Sequence, residues 1–382
     1  MERGGGALRV AIFHWRDIKS PEHGGAERLL FEIAQGLQSQ GAEVAWFSPR
    51  FPRCKTHETI SGISVRRLGG RINIRLLIPF CYLLFWRRHF DLVVDSITGV
   101  PWFTPLYVRT SRMAIIYHLG KRQTFFKDLP AQIGTLGFFL AFVGMVCERS
   151  IGYLYRHTAF LTFSDDTRDG LVQLGIPHEN ISVAQEGIDL SRYSPKFEKT
   201  SIPTIIYVGR LVATKGLEHL LQAVAIASSS IPALRLVVVG TGYAEDGLRT
   251  FSRRLGIGSI VEFVGYVSEE EKVRLLQDAH VLAMPSLREG WATPVLEANA
   301  CGTPAVGTDV PGVRETIVHG KTGYLVPYGD ADSLASRLLL LLLDSHQRRE
   351  MGISAFRRVQ SYSLESTISV ATKMILGSLS ET

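Results

Sequence analysis

The stretch Met284-Pro285-Ser286-Leu287-Arg288-Glu289-Gly290-Trp291-Ala292-Thr293-Pro294-Val295-Leu296-Glu297-Ala298-Asn299-Ala300-Cys301-Gly302 decides how the rest of the chain is read. It predicts a strand end, a tight loop, and a helix capped by Thr293 with Pro294 at the first helical position, where a missing N–H costs nothing. A capping box would place Glu or Gln three residues after the cap, but Leu296 stands there. Glu297 comes one position later, and Glu289 lies in the loop before the helix. The unpaired N–H groups and positive dipole end of such a helix start suit a phosphate. Ionised carboxylates only accept hydrogen bonds, so Glu289 and Glu297 beside that site suit sugar hydroxyls. Together these features predict a nucleotide-sugar pocket. Taken singly, each Glu reads more simply, one as a surface residue and the other as a partner for the helix dipole.

With 382 residues, 46% hydrophobic and 20% charged, the chain is globular and too long for one ordinary core, so two domains are expected. Strands are predicted in the first half at Leu8–His14, Glu43–Ser48, Ile63–Leu68, Asp91–Ser96, Ala114–His118, Phe160–Ser164 and Ile181–Gln185. In the second half they fall at Thr204–Gly209, Leu234–Gly240, Ile260–Val264, Val281–Pro285, Ala305–Gly307 and Tyr324–Pro327. Helical spacing between many of them gives an α/β fold of mostly parallel sheets covered on both faces. The polar segment Ser194–Pro203 reads as the linker. The expected division is 1–194, 195–362 and a final helix in 363–382.

The four cysteines are scattered, with no C-x-x-C pair, which fits reduced thiols in a cytoplasmic protein and argues against a zinc site. Met1-Glu2-Arg3 leads through glycines into a short strand, so no secretory signal is expected. Residues 1–160 carry 21 Lys/Arg against 11 Asp/Glu, and the remainder 21 against 25. Such a basic half invites an anionic partner, either a phosphorylated substrate or a membrane surface. Nucleic acid is not expected, because no nucleic-acid-binding signature accompanies the charge.

Two apolar segments bear on the membrane. Leu129 to Cys147 is a charge-free run of 19 residues. The strands flanking it belong to one sheet, which excludes a crossing and leaves a helix buried against the sheet or one lying in a membrane interface. The helix expected near Ile74–Arg88 carries Leu76, Leu77, Ile78, Phe80, Leu83, Leu84, Phe85 and Trp86 between Arg75 and Arg87-Arg88. It suits either packing on the sheet or an anionic lipid surface.

Val239-Gly240-Thr241-Gly242-Tyr243-Ala244-Glu245 imitates a dinucleotide fingerprint, but Glu245 stands at the third glycine position and would repel a pyrophosphate. It is read as a turn. The loop Gly209-Arg210-Leu211-Val212-Ala213-Thr214-Lys215-Gly216 is more informative. Gly209 permits a sharp exit from a strand, and Thr214 is expected to cap a helix beginning near Lys215. Arg210 and Lys215 then lie at the carboxyl end of the sheet, a forked cation and a point charge suited to a diphosphate.

The chain resembles the family-four retaining glycosyltransferases of GT-B fold over nearly its whole length. The resemblance rests on Gly24-Gly25-Ala26-Glu27, Gly187-Ile188-Asp189, Gly209-Arg210 with Lys215-Gly216, and Glu289 with seven residues between it and Glu297. Pro311-Gly312-Val313-Arg314-Glu315 with Gly320-Lys321-Thr322-Gly323 completes it. It implies two Rossmann-like domains facing across a cleft, the N-terminal one for the acceptor and the C-terminal one for the donor, with the last helix returning to the first domain. It also implies diphosphate binding by Arg210 and Lys215, donor-sugar hydroxyls on Glu289, and ribose on Glu297. Gly24 and Gly25 would allow close backbone approach, His118 would contact the donor sugar, and Gly209, Gly290, Trp291, Ala292 and Thr293 would complete the donor site. Departures occur at Gln185-Glu186-Gly187, where Pro-Asn-Gly is common, at Val310-Pro311-Gly312, where a double glycine is frequent, and at Ala292-Thr293-Pro294, where Gly-Leu-Pro is more usual.

No metal or other cofactor is expected, and cationic side chains must then neutralise the leaving diphosphate. Retention is implied by the resemblance alone. The expected activity is sugar transfer from a nucleotide diphosphate sugar to a lipid-linked or cell-surface glycan precursor, by a cytoplasmic protein docking at the inner face of the cell membrane. The rivals are a GT-B sugar-nucleotide epimerase, a glycosidase and a non-catalytic nucleotide-sugar-binding protein. A glycosidase would use paired carboxylates but would have no role for Arg210 and Lys215.

Overall fold

The computed structural model describes residues 7–71, 73–120, 126–127 and 134–379. Residues 1–3, and 129–133 of the charge-free run, lie outside the described residues. The chain divides into two compact units. The first comprises 1–121, 143–185 and 366–382, the second 122–142 and 186–365.

The first unit holds an eight-stranded sheet of β1 (Arg9–Phe13), β2 (Glu43–Pro49), β3 (His57–Ile60), β4 (Ile63–Leu68), β5 (Leu92–Ile97), β6 (Ser111–Ile116), β7 (Ala159–Thr162) and β8 (Ile181–Val183). Its order is β3-β4-β2-β1-β5-β6-β7-β8, parallel apart from β3. Strands such as β5 are buried throughout, as a parallel sheet covered on both faces requires. The hairpin strand β3 was not expected, since Cys54–Glu58 is polar and the strand lies at the edge. Several expected strand ends move by a few residues, and Ala114–His118 becomes Ser111–Ile116.

Helix α1 (Gly25–Ser39) turns Leu29, Leu30, Ile33, Ala34 and Leu37 inward. Helix α2 (Ile74–Cys81) continues into a wider π turn, Tyr82–Trp86, and seats Ile74, Ile78 and Tyr82 in the core with Phe13, Phe47 and Trp102. The long helix α3 (Thr135–Leu154) connects β6 to β7, and α4 (Asp165–Gln173) connects β7 to β8. Helix α3 is buried against the sheet only toward its C-terminal end, where Ile151 joins Ala114, Ile116 and Phe160; most of its apolar residues through Val146 are exposed.

The second sheet contains β9 (Thr204–Val208), β10 (Arg235–Val239), β11 (Val261–Gly265), β12 (Val281–Met284), β13 (Ala305–Thr308) and β14 (Gly323–Val326). All are parallel in the order β11-β10-β9-β12-β13-β14. The order reverses between β9 and β12, and open α/β sheets bind ligands at the carboxyl ends of strands flanking such a point. Helices α5 (Leu217–Ser228), α6 (Glu245–Arg254), α7 (Glu269–Asp278), α8 (Thr293–Ala300), α9 (Ala331–Leu343) and α10 (Ser345–Val359) belong to this unit. Apolar clusters form on both faces of the sheet. The expected linker is tied down here: Lys196 N donates to Cys301 O (3.0 Å), and Lys199 Nζ to Thr303 Oγ1 (2.7 Å).

Helix α11 (Leu364–Gly377) joins the first unit from Ser366 onward. A Cβ on Gly36 would meet Ile368 Cγ2 at 2.5 Å and Thr372 Cγ2 at 2.9 Å, so only glycine lets α1 and α11 pack this closely.

Candidate active site

The carboxyl ends of β9 and β12 carry the two loops that hold most of the expected donor residues. The β9 loop does not run directly into a Thr214-capped helix. Ala213–Lys215 form a 3-10 turn, Gly216 adopts φ +65°, and α5 starts only at Leu217. The physical reason is crowding: a Cβ on Gly216 would lie 2.3 Å from Pro285 O. A bond from Leu287 N to Thr214 O (2.9 Å) then ties the two loops together.

This contact sets Lys215 opposite Glu289. Lys215 Nζ donates to both Glu289 carboxylate oxygens at 2.6 Å, and Ser286 Oγ donates to Glu289 Oε1 at 2.6 Å. Both side chains are largely buried, at 16% and 10% exposure. A third loop fixes the backbone, with Glu289 N on Pro311 O (3.1 Å) and Ala292 N on Gly312 O (3.2 Å). Gly312 has φ +78°, and a Cβ there would meet Glu289 O at 2.5 Å. The Pro-Gly of this loop therefore positions the carboxylate.

Arg210 is exposed beside Gly209, its own carbonyl accepting from Tyr207 Oη at 3.0 Å. The fingerprint-like glycines serve packing, for Cβ atoms on Gly240 and Gly242 would meet Gly209 O (2.0 Å) and Leu211 O (2.2 Å). They bring the β10 loop against the β9 loop and carry no dinucleotide signature.

Helix α8 begins one residue earlier than its sequence predicts. Ala292 is the cap, without a side-chain bond, so Thr293 is the first helical residue and Pro294 the second. Thr293 Oγ1 donates instead to Glu186 Oε1 at 2.9 Å. Burial pushes the Glu186 carboxyl up to about 7, opposed by the Thr293 bond and reinforced by the Glu297 charge. Its sequence position showed only a departure from a common pattern.

Glu297 is buried on α8, its Oε1 accepting from Tyr193 Oη (3.1 Å) and Lys272 Nζ (2.8 Å). The structure does not pair it with Glu289. Trp291 is 7% exposed and packs with Ile188, Leu296 and Val359, so Gly290, Trp291 and Ala292 present chiefly backbone. Gly209 likewise has no side chain to offer.

In the first unit the order reverses between β1 and β5. Gly24, in the loop after β1, caps α1, and its N–H donates to Glu27 Oε2 at 2.7 Å. A Cβ on Gly25 would meet nothing within 4 Å, so the backbone there faces open space. Glu27 Oε1 lies 3.2 Å from His14 Nε2, and His14 Nδ1 lies 2.7 Å from Ser96 Oγ. Burial opposes ionisation of Glu27, but His14, the Gly24 N–H and Arg16 together hold its carboxyl at about 2. Sequence reasoning saw Glu27 only as part of a motif. His118 is exposed two residues beyond β6, not at its end.

Two family descriptions match adjacent stretches: "Glycosyltransferase Family 4" over residues 23–192 and "Glycosyl transferases group 1" over 192–358. The chain belongs to the family-four, group 1 glycosyltransferases. Among curated relatives, the putative colanic acid biosynthesis glycosyltransferase WcaL of Escherichia coli is 34% identical over 191 residues, 48% of this chain. The chain spans about half the length of the curated relatives it matches, 47% for WcaL.

Among solved structures, WaaG, a glycosyltransferase involved in lipopolysaccharide biosynthesis, matches with TM-score 0.76 at 18% identity, covering 96% of this chain and 100% of its own. HepE of Anabaena, solved with UDP and glucose, matches with TM-score 0.70 at 18% identity, covering 98% and 100%. At these identities the likeness establishes the fold, and this glycosyltransferase has the GT-B architecture of two Rossmann-like domains.

Proposed function

We propose that this glycosyltransferase moves a sugar from a nucleoside diphosphate sugar, held by the second unit, to an acceptor held by the first. The observation that carries the reading is the Lys215–Glu289 pair at the switch point of the second sheet. One partner is a cation suited to a diphosphate, the other an acceptor suited to sugar hydroxyls. Arg210 and the start of α8 add further positive potential for the charge developing on the leaving diphosphate, so the reaction needs no metal. Glu297 takes the ribose. Retention at the sugar carbon follows the family pattern. Because HepE was solved with UDP and with UDP-glucose, UDP is the first donor base to try.

The acceptor in this reading is lipid-linked or membrane-proximal, within polysaccharide or lipopolysaccharide assembly, and the protein docks peripherally. Support comes from α2 and its π turn, where Leu76, Phe80, Leu83, Leu84 and Phe85 are each more than half exposed. Arg87 and Arg88 flank them in solvent. Arg75 does not join that basic rim, because its guanidinium lies 4.9 Å from the Trp15 ring centre and 5.3 Å from that of Trp102. Thermal shifts with UDP, GDP, ADP and their sugars, followed by turnover of the labelled donor that binds, test the reading. Stabilisation by none of them, or binding without transfer to any lipid-linked acceptor, would count against it.

A further inference from the structure

Helix α3 is reversed relative to an ordinary surface helix. At 100° per residue, its buried positions Gly137, Ala141, Gly144, Glu148, Ile151 and Gly152 fall on one stripe roughly 100° wide. That stripe is anchored: Glu148 accepts from the Gly120 N–H, and a Cβ on Gly152 would overlap Leu174 O at 1.7 Å. The outward positions Leu136, Phe138, Phe139, Leu140, Phe142 and Val146 are 40–63% exposed. They cover roughly 200° of the helix circumference. A water-facing surface would be polar there.

Topology, not length, excludes a crossing: α3 has 20 residues and is long and apolar enough to span, but it connects β6 and β7, which pair side by side in parallel.

The order of residues on the outward arc identifies what covers it. Three apolar turns are followed by Arg149, which is exposed, and then by Tyr153, 87% exposed. Arginine and tyrosine prefer the headgroup level, where the charge or hydroxyl meets water while the rest of the side chain stays apolar. An arc wider than a half-circle cannot be covered by one flat protein surface, but acyl chains can surround it. Arg156, exposed just past the helix, adds charge complementary to an anionic headgroup layer.

We propose that α3 is a bilayer-docking helix, its first three turns among the acyl chains of one leaflet of an anionic membrane and Arg149 and Tyr153 at the headgroups. The proposal deepens the membrane-proximal reading above, and its vesicle-binding and quenching tests use neither donor nor acceptor.

Sedimentation of the full chain with phosphatidylglycerol–phosphatidylcholine vesicles should show binding that Phe139→Ser/Phe142→Ser weakens at least about tenfold. The same variant should keep its UDP thermal shift, which separates loss of docking from loss of the donor site. In Phe139→Trp, the added fluorescence should be quenched by lipids brominated along the acyl chain. Unchanged vesicle binding in the double variant, or no acyl-chain quenching, would overturn the proposal. So would a stable dimer in vesicle-free solution that the double variant abolishes, since a second copy would then be the occupant.

Discussion

Gly216→Ala tests whether the contact between the β9 and β12 loops sets the donor site. The alanine would have to hold φ +65°, at a cost of about 1–2 kcal/mol for a residue with a Cβ. Its Cβ would start 2.3 Å from Pro285 O, a backbone atom, so one loop must retreat until the contact exceeds 3.0 Å. That retreat breaks the Leu287 N to Thr214 O bond, about 1 kcal/mol more. The sum, about 2–3 kcal/mol, should lower the melting temperature of the second unit by about 5–10 °C. Retreat by most of an ångström also separates Lys215 from Glu289, and misplacement on that scale costs about 100-fold in turnover. Differential scanning calorimetry and initial rates on the donor that the thermal-shift panel selects read the two effects. Gly216→Asn separates the causes, because Asn tolerates positive φ but keeps the overlap. A Gly216→Ala melting temperature within about 2 °C of wild type, with turnover within about threefold, would refute the reasoning.

Arg210→Ala, Lys215→Ala and Glu289→Ala should each reduce transfer by about 100-fold or more with circular dichroism unchanged, and near-wild-type turnover in any of them would remove its assigned role. Transfer should survive EDTA; complete loss restored by magnesium or manganese would overturn the metal-free reading. Glu186 binds its proton more tightly folded than unfolded, so stability should fall as pH rises from about 4.5 to 7, by at most about 3 kcal/mol, and level off above. Glu186→Gln should flatten that slope in urea titrations across the range, and an unchanged slope would show that the carboxyl titrates normally. Arg87→Glu/Arg88→Glu should make binding to anionic vesicles weaker and less salt-sensitive, given about 1 kcal/mol per basic residue near the surface; indifference to both salt and the reversal would remove α2 from the docking face.

The sheet strands were legible because parallel strands buried on both faces must be apolar runs, as Leu92–Ile97 and Val281–Met284 are. The hairpin strand His57–Ile60 was not, although its turn carried a signal. Ser61 (φ +45°) and Gly62 (φ +85°) both take the positive φ of a tight hairpin turn, and the dipeptide Ser-Gly suits one. Chain positions 215 and 289 could be paired because each follows a strand of one sheet. The cap positions could not be fixed, because Gly216 and Ala292 are set by neighbouring loops that local sequence does not describe. The same limit hid the Glu186–Thr293 bond and the His14–Glu27 contact, which depend on side chains from separate segments. An apolar helix such as α3 reads alike whether its face is covered or bare, so only the structure distinguishes the two.

The first unit is assembled from three pieces of chain, and its last piece, α11, is made after the whole of the second unit. During synthesis the second unit can therefore complete its sheet while the first still lacks the helix that packs on Gly36. Until Ile368 and Thr372 arrive, that face of α1 stays open, and a chain halted near Val359 would lack the last piece of the first unit. Premature termination there should yield a product recognised by proteases through its N-terminal half, although the missing residues are at the other end.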